Sequence, residues 1–234
     1  MVLRNFAVIE GCDGSGTTTQ LKLLGKKCAV QTELSRQENA ETSGLFAAEP
    51  GQKYFYPLIF PTSEPTQDPV GILIKRILSG EYSVQKETLA RLFAADRGEH
   101  LYAPGGIVER CSRGEVVVSD RYTPSSLVYQ GLECGRELPE ALNASFPHPE
   151  LLIYLDVDPG TAIRRIGSRK EKREIYEKKD FQARVRKAYL ELLPFYESKG
   201  VRVVSLDGTM PQEALAEEIW NSIKKMPIME EQKY

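Results

Sequence analysis

The eight residues Gly11-Cys12-Asp13-Gly14-Ser15-Gly16-Thr17-Thr18 constrain the fold more than any other stretch of this chain. They stand between an unbroken apolar run, Phe6–Glu10, and a segment with helical spacing that begins near Gln20. Glycines in such a turn let backbone N–H groups converge on an anion, and the helix N-terminus that follows adds partial positive charge. The spacing fits a phosphate-binding loop, GxxxxG and then two positions, the second of which carries a hydroxyl. Gly11, Asp13, Gly14, Ser15, Gly16, Thr17, Thr18 and Thr19 are therefore expected around the phosphates of a nucleotide, with the Thr18 hydroxyl on Mg²⁺. The competing explanation is a plain strand-to-helix turn, and the correct context on both sides weighs against it. One position departs from the pattern: a lysine is wanted after Gly16, and the chain has Thr17. Phosphoryl transfer develops charge that must be neutralised, so this site starts one cation short. Lys22 lies more than a turn beyond Thr17 and reads as a poor replacement.

Four further apolar runs, Tyr56–Phe60, Val116–Ser119, Leu151–Asp156 and Val201–Leu206, are continuous rather than alternating, as in strands covered on both faces. Helical spacing separates them, over Thr17–Lys27, Pro69–Leu78, Gln85–Tyr102, Thr161–Ile166, Phe181–Ser198 and Pro211–Ile223. Strand alternating with helix predicts a five-stranded parallel sheet with helices on both faces, an α/β chain of one domain over residues 1–234. Gln31–Lys53 is polar and without period and reads as an inserted excursion, while 165–179 is a dense mixed-charge run. With 31 basic and 33 acidic residues the formal charge is −2, which argues against a strongly cationic nucleic-acid binder. No apolar run is long enough for a membrane helix, and the N-terminus lacks the pattern of a signal peptide. Four scattered cysteines without a CxxC pair point to reduced thiols and a cytoplasmic protein.

After Val116–Ser119 comes Asp120-Arg121-Tyr122. A carboxylate at the end of a parallel strand beside the loop is a place to hold Mg²⁺, and Arg121 then enters the same crevice as a forked phosphate donor. With these pieces in place the chain resembles the thymidylate kinase family. The segments that carry the resemblance are FAVIEGCDGSG, PTSEPTQDPVG, LFAADRGEH, SDRYTPSSLVYQG and RKAYLELL.

The resemblance implies a fold of the P-loop NTPase type with a short lid, and Mg²⁺-dependent transfer of the γ-phosphoryl of ATP to dTMP. Phe93 and Arg97, four apart and so on one helix face, then stack on the thymine ring and bond its exocyclic oxygen. Spacing alone would leave Phe93 in the core. Gln130 reads the imide edge with Ser125 or Ser126 assisting, Asp13 accepts from the sugar 3′-hydroxyl, and Arg76 grips the acceptor phosphate. Ser63 occupies a position that is often arginine, a second missing cation. The charged run becomes a lid whose basic residues, Arg169 and Arg173 foremost among Arg164, Arg165, Arg169 and Arg173, close on the transferring group. Catalysis is thereby expected from Asp120, Arg121, Arg169 and Arg173, with Thr18 and Asp120 on the metal. A homodimer in contact through Gln85–Tyr102 is also implied. The alternatives are a P-loop kinase of another nucleotide, or a nucleotide-binding relative with little turnover because Thr17 lacks charge.

Overall fold

The computed structural model describes residues 1–38, 58–167 and 179–230. Five strands, β1 (Val2–Gly11), β2 (Ile59–Ser63), β3 (Val116–Asp120), β4 (His148–Asp156) and β5 (Arg202–Asp207), form one sheet in the order β2-β3-β1-β4-β5. Every pairing is parallel. The strands are apolar on both faces because both are covered. Phe6, Val8, Leu152 and Tyr154 point to one side, while Ala7, Ile9, Ile153 and Leu155 point to the other. The first face packs against α3 (Lys86–Tyr102), α5 (Thr123–Cys134) and α8 (Lys179–Ser198) through Leu101, Val128 and Tyr189. The second meets α1 (Thr17–Glu38) and α9 (Gln212–Ile223) through Leu24, Ile219 and Trp220.

Two expectations need correction. The excursion expected from Gln31 begins later, because α1 continues as helix to Glu38. Its Gln, Glu, Leu and Arg residues are good helix formers, so a helix already nucleated propagates through them without an apolar period. The rest of that segment, 39–53, lies outside the described residues. The second strand, expected over Tyr56–Phe60, runs on to Ser63 as Ile59–Ser63, while Tyr56 and Pro57 lie outside the described residues. Pro61 lies within this strand, which is tolerated because β2 is the sheet edge, where a missing N–H costs no ladder bond. Helix α2 (Pro69–Leu78) has the expected bounds, and α7 (Pro159–Gly167) and α9 follow the expected segments closely. The short helices α4 (Ile107–Ser112), α6 (Glu137–Asn143) and α10 (Pro227–Glu230) fall below the length at which a period can be read.

The site follows from the strand order. β1 lies between β3 and β4, so the chain turns in opposite directions after β1 and β3 and leaves a crevice at their carboxyl ends. Register pairs Ile9 with Asp120 and Ser63 with Asp120, which brings the ends of β1, β2 and β3 to one edge.

Candidate active site

A cleft of about 520 Å³ opens on that edge. One end of it is the glycine loop. Gly14 has φ +83°, and a Cβ there would stand 2.5 Å from the Ala162 carbonyl oxygen. Gly16 has φ +105° and faces open space, so only glycine gives this backbone without strain or loss of the cradle. At the top of α1 the Thr18 hydroxyl donates to Asp120 Oδ2 at 2.6 Å. Asp120 Oδ1 is buried and has no hydrogen-bond partner. A hydroxyl beside an unsatisfied carboxylate oxygen fits Mg²⁺, a hard cation that takes few protein oxygens and completes its shell with water and phosphate.

Arg121 joins the two ends of the cleft. Its Nη2 donates to Asp13 Oδ1 at 2.5 Å and its Nη1 to the Gly11 carbonyl at 3.3 Å, so it crosses from β3 to the glycine loop. Its φ of +70° is uncommon for a residue with a side chain and costs about 1–2 kcal/mol. The surroundings hold it there. The Arg121 N–H donates to the Ile9 carbonyl at 3.0 Å, and Ser119 Oγ donates to the Arg121 carbonyl at 2.7 Å. The next N–H, of Tyr122, donates to Glu10 Oε1 at 2.8 Å.

Glu10 is a functional residue that the sequence reading missed, having taken it only as the end of a strand. Its fully buried carboxylate also accepts from Ser125 Oγ at 2.7 Å and Tyr189 Oη at 2.8 Å. Burial raises the carboxyl to about 7 against the opposing pull of the Ser125 bond and the Arg121 charge. Ser125 in turn accepts from Arg121 Nη1 at 3.3 Å, so Glu10 braces Arg121 through backbone and side chain together. Gln182 on α8 was missed as well; it holds Asp13 by a side-chain bond at 3.2 Å and a backbone bond at 3.2 Å.

The far end of the cleft carries the aromatic and polar side chains paired in the sequence. Phe93, Arg97, Ser126 and Gln130 all line it. Arg97 is 1% exposed and fixed by Glu64 Oε2 at 2.7 Å, Ser126 Oγ at 3.0 Å and Asn143 Oδ1. Ser126 and Ser125 thus serve the two arginines. Gln130 Oε1 is buried without a partner and awaits a donor.

Of the expected residues, Asp13, Gly14, Gly16, Thr17, Thr18, Phe93, Arg97, Asp120, Arg121, Ser125, Ser126 and Gln130 meet in this cleft. Gly11 and Ser15 are buried beneath the loop, and Thr19 does not line the cleft. Arg76 is a correction. It turns outward to Glu81, with its guanidinium 4.7 Å from the Tyr82 ring centroid, and its neighbour Lys75 lines the cleft instead. Adjacent helical residues point about 100° apart, so only one of the two can face inward. Lys22, set aside on sequence spacing, also lines the cleft. Arg169 and Arg173 lie outside the described residues.

The family profile described as thymidylate kinase matches residues 51–219. A probable thymidylate kinase of Methanococcus vannielii is 33% identical over 231 residues, covering 96% of this chain and 98% of that protein. One of Methanocaldococcus jannaschii is 36% identical over 197 residues, covering 84% and 85%. Among solved structures, a thymidylate kinase of Candida albicans superposes with a TM-score of 0.67 at 22% identity, over 97% of this chain and 93% of that one, a likeness of fold. The extent of these matches establishes that the chain belongs to the thymidylate kinase family.

Proposed function

We propose that the protein transfers the γ-phosphoryl of ATP to dTMP, giving dTDP and ADP. The observation that carries this reading is the Arg121–Asp13 contact at 2.5 Å, which sets one guanidinium between the phosphate loop and the pocket of Phe93, Arg97 and Gln130. The amides of Gly14 and Gly16 receive the donor phosphates. Thr18 and Asp120 would hold Mg²⁺, which supplies positive charge to the phosphates when bound. The acceptor is already an anion near neutral pH, so alignment and charge neutralisation do most of the work and no strong base is needed. Arg121 meets the transferring group, and Lys75 takes the acceptor-phosphate role that Arg76 does not.

At the base, the unpartnered Gln130 Oε1 accepts the imide N–H of thymine, and the Arg97 guanidinium serves an exocyclic oxygen. Phe93 supplies the stacking face. A cytosine ring offers a lone pair at that imide position and would leave Gln130 unsatisfied. Lid residues Arg169 and Arg173 complete the charge from outside the described residues. We further read the protein as a cytoplasmic homodimer that pairs through α3, where Tyr102 is 57% exposed. Among the described residues no helix is long and apolar enough to cross a membrane, and Cys12, Cys111 and Cys134 are free thiols.

A panel of monophosphates and nucleosides with ATP, followed by ADP release, tests the reading. Turnover of dTMP and dUMP well above dCMP is expected. Preference for thymidine itself would overturn it.

A further inference from the structure

We propose that Lys22 supplies the cation missing at Thr17, acting on the donor phosphates during transfer; this rests on the kinase reading above. Thr17 is 5% exposed and lines the cleft, yet it brings no charge to the point where phosphoryl transfer needs it. Among the described residues, the cations that line the cleft are Lys22, Lys75, Arg97 and Arg121. Three have other posts. Arg97 is locked at the base end by Glu64 and Ser126. Lys75 stands on α2, where its Nζ donates to the Thr66 carbonyl at 2.8 Å. Arg121 is engaged with Asp13 at 2.5 Å and stands between the two ends of the cleft. Arg165 reaches the glycine loop from behind, with Nη1 on the Gly208 carbonyl at 2.8 Å and on the Gly14 and Ser15 carbonyls at 3.4 Å.

Lys22 alone among these stands on α1, the helix that the glycine loop opens. Counted from Thr17 it is too far along. Counted from Thr18 it is one turn away, on the same face as the hydroxyl that meets Asp120. Helical Cβ atoms tilt toward the N-terminus, and long side chains lie over the preceding turn. Four residues advance the axis by about 6 Å, which a four-carbon stem spans in reverse. The stem can therefore carry the ammonium back to the turn of Thr18, which lines the same cleft beside Asp120. Lys22 is exposed, and among the described residues no hydrogen bond or ion pair to it is seen. A compact charge with three donors, free to rotate about its stem, needs no exact geometry to serve phosphate oxygens.

The test compares wild type, Lys22→Met and the double variant Lys22→Met/Thr17→Lys by steady-state kinetics with ATP and dTMP, and by calorimetric titration of dTMP. Lys22→Met should lower kcat at least 100-fold and leave the Kd for dTMP within about threefold. The added Thr17→Lys should recover at least tenfold, because it returns the charge by the other route. A Lys22→Met enzyme with kcat within threefold of wild type would overturn the proposal, as would a loss confined to dTMP binding or one that Thr17→Lys does not repair. The wild-type arm separates the two readings: if wild type does not turn over dTMP, the kinase reading fails, whatever the variants do.

Discussion

Replacing Glu10 by Gln should make the protein more stable and less active above neutral pH. The carboxyl is fully buried and rises from 4.5 to about 7, chiefly through burial. The folded protein thus keeps a proton through a range in which the unfolded chain has lost it. Native protein binds more protons between those values, so the contribution of Glu10 to stability falls as pH rises through that window and is fully lost above about 7. The difference corresponds to about 3 kcal/mol at 1.36 kcal/mol per pH unit. The amide of the Glu10→Gln variant cannot ionise and matches the protonated acid in shape. Urea denaturation of both proteins at about pH 4.5 and about pH 8.5 should show near-equal stability at the lower value and an advantage of about 3 kcal/mol for the variant at the higher. Turnover should move the other way. A neutral amide holds Tyr122 N–H and Ser125 more weakly than a carboxylate, and Arg121 loses part of its brace. A loss of about 1.4 kcal/mol in its alignment gives roughly tenfold in kcat. Parallel stability curves for the two proteins would refute the reasoning.

Arg121→Ala should lower kcat by at least 100-fold, about 3 kcal/mol or more of transition-state stabilisation, read in a coupled ADP assay. Gln130→Leu should raise the KM for dTMP by about tenfold to a hundredfold, since the imide N–H then meets a buried methyl group, with a smaller effect on kcat. Arg97→Met removes the guanidinium that bonds the buried Glu64 carboxylate at 2.7 Å, leaving it only His100 at 3.1 Å, and should cost about 3 kcal/mol in urea denaturation. Leu152→Ala removes a fully buried side chain from the central layer and should cost about 2–5 kcal/mol by the same measurement.

The strands were legible because a sheet covered on both faces writes itself as continuous Val, Ile and Leu. The loop was legible because its glycines and its context are both unusual. Asp120 and Arg121 could be assigned to the same crevice from one rule, that parallel strands end on one edge. Adjacent side chains were harder. Lys75-Arg76 offers two cations where the helix turns one inward, and only packing against the 63–68 loop decides which. The braces could not be read at all. Asn143 and Gln182 stand 46 and 169 positions from the residues they hold, and a lone polar residue carries no sign of its partner. Glu10 left the faintest trace, an acid inside an apolar strand, which burial alone makes costly and three hydrogen bonds make tolerable. Lys22 lies more than a turn beyond Thr17 and yet lines the cleft, because on the helix it stands one turn from Thr18.

The central claim is that one cleft holds two phosphorylated ligands end to end across Arg121. Calorimetric titration with adenosine and thymidine joined through a chain of five phosphates tests it directly. The geometry predicts binding at least 100-fold tighter than dTMP alone, because one molecule fills the glycine loop and the Phe93–Gln130 pocket together. Affinity no better than that of dTMP or ATP singly would contradict it, since the two ends of the cleft would then not face each other.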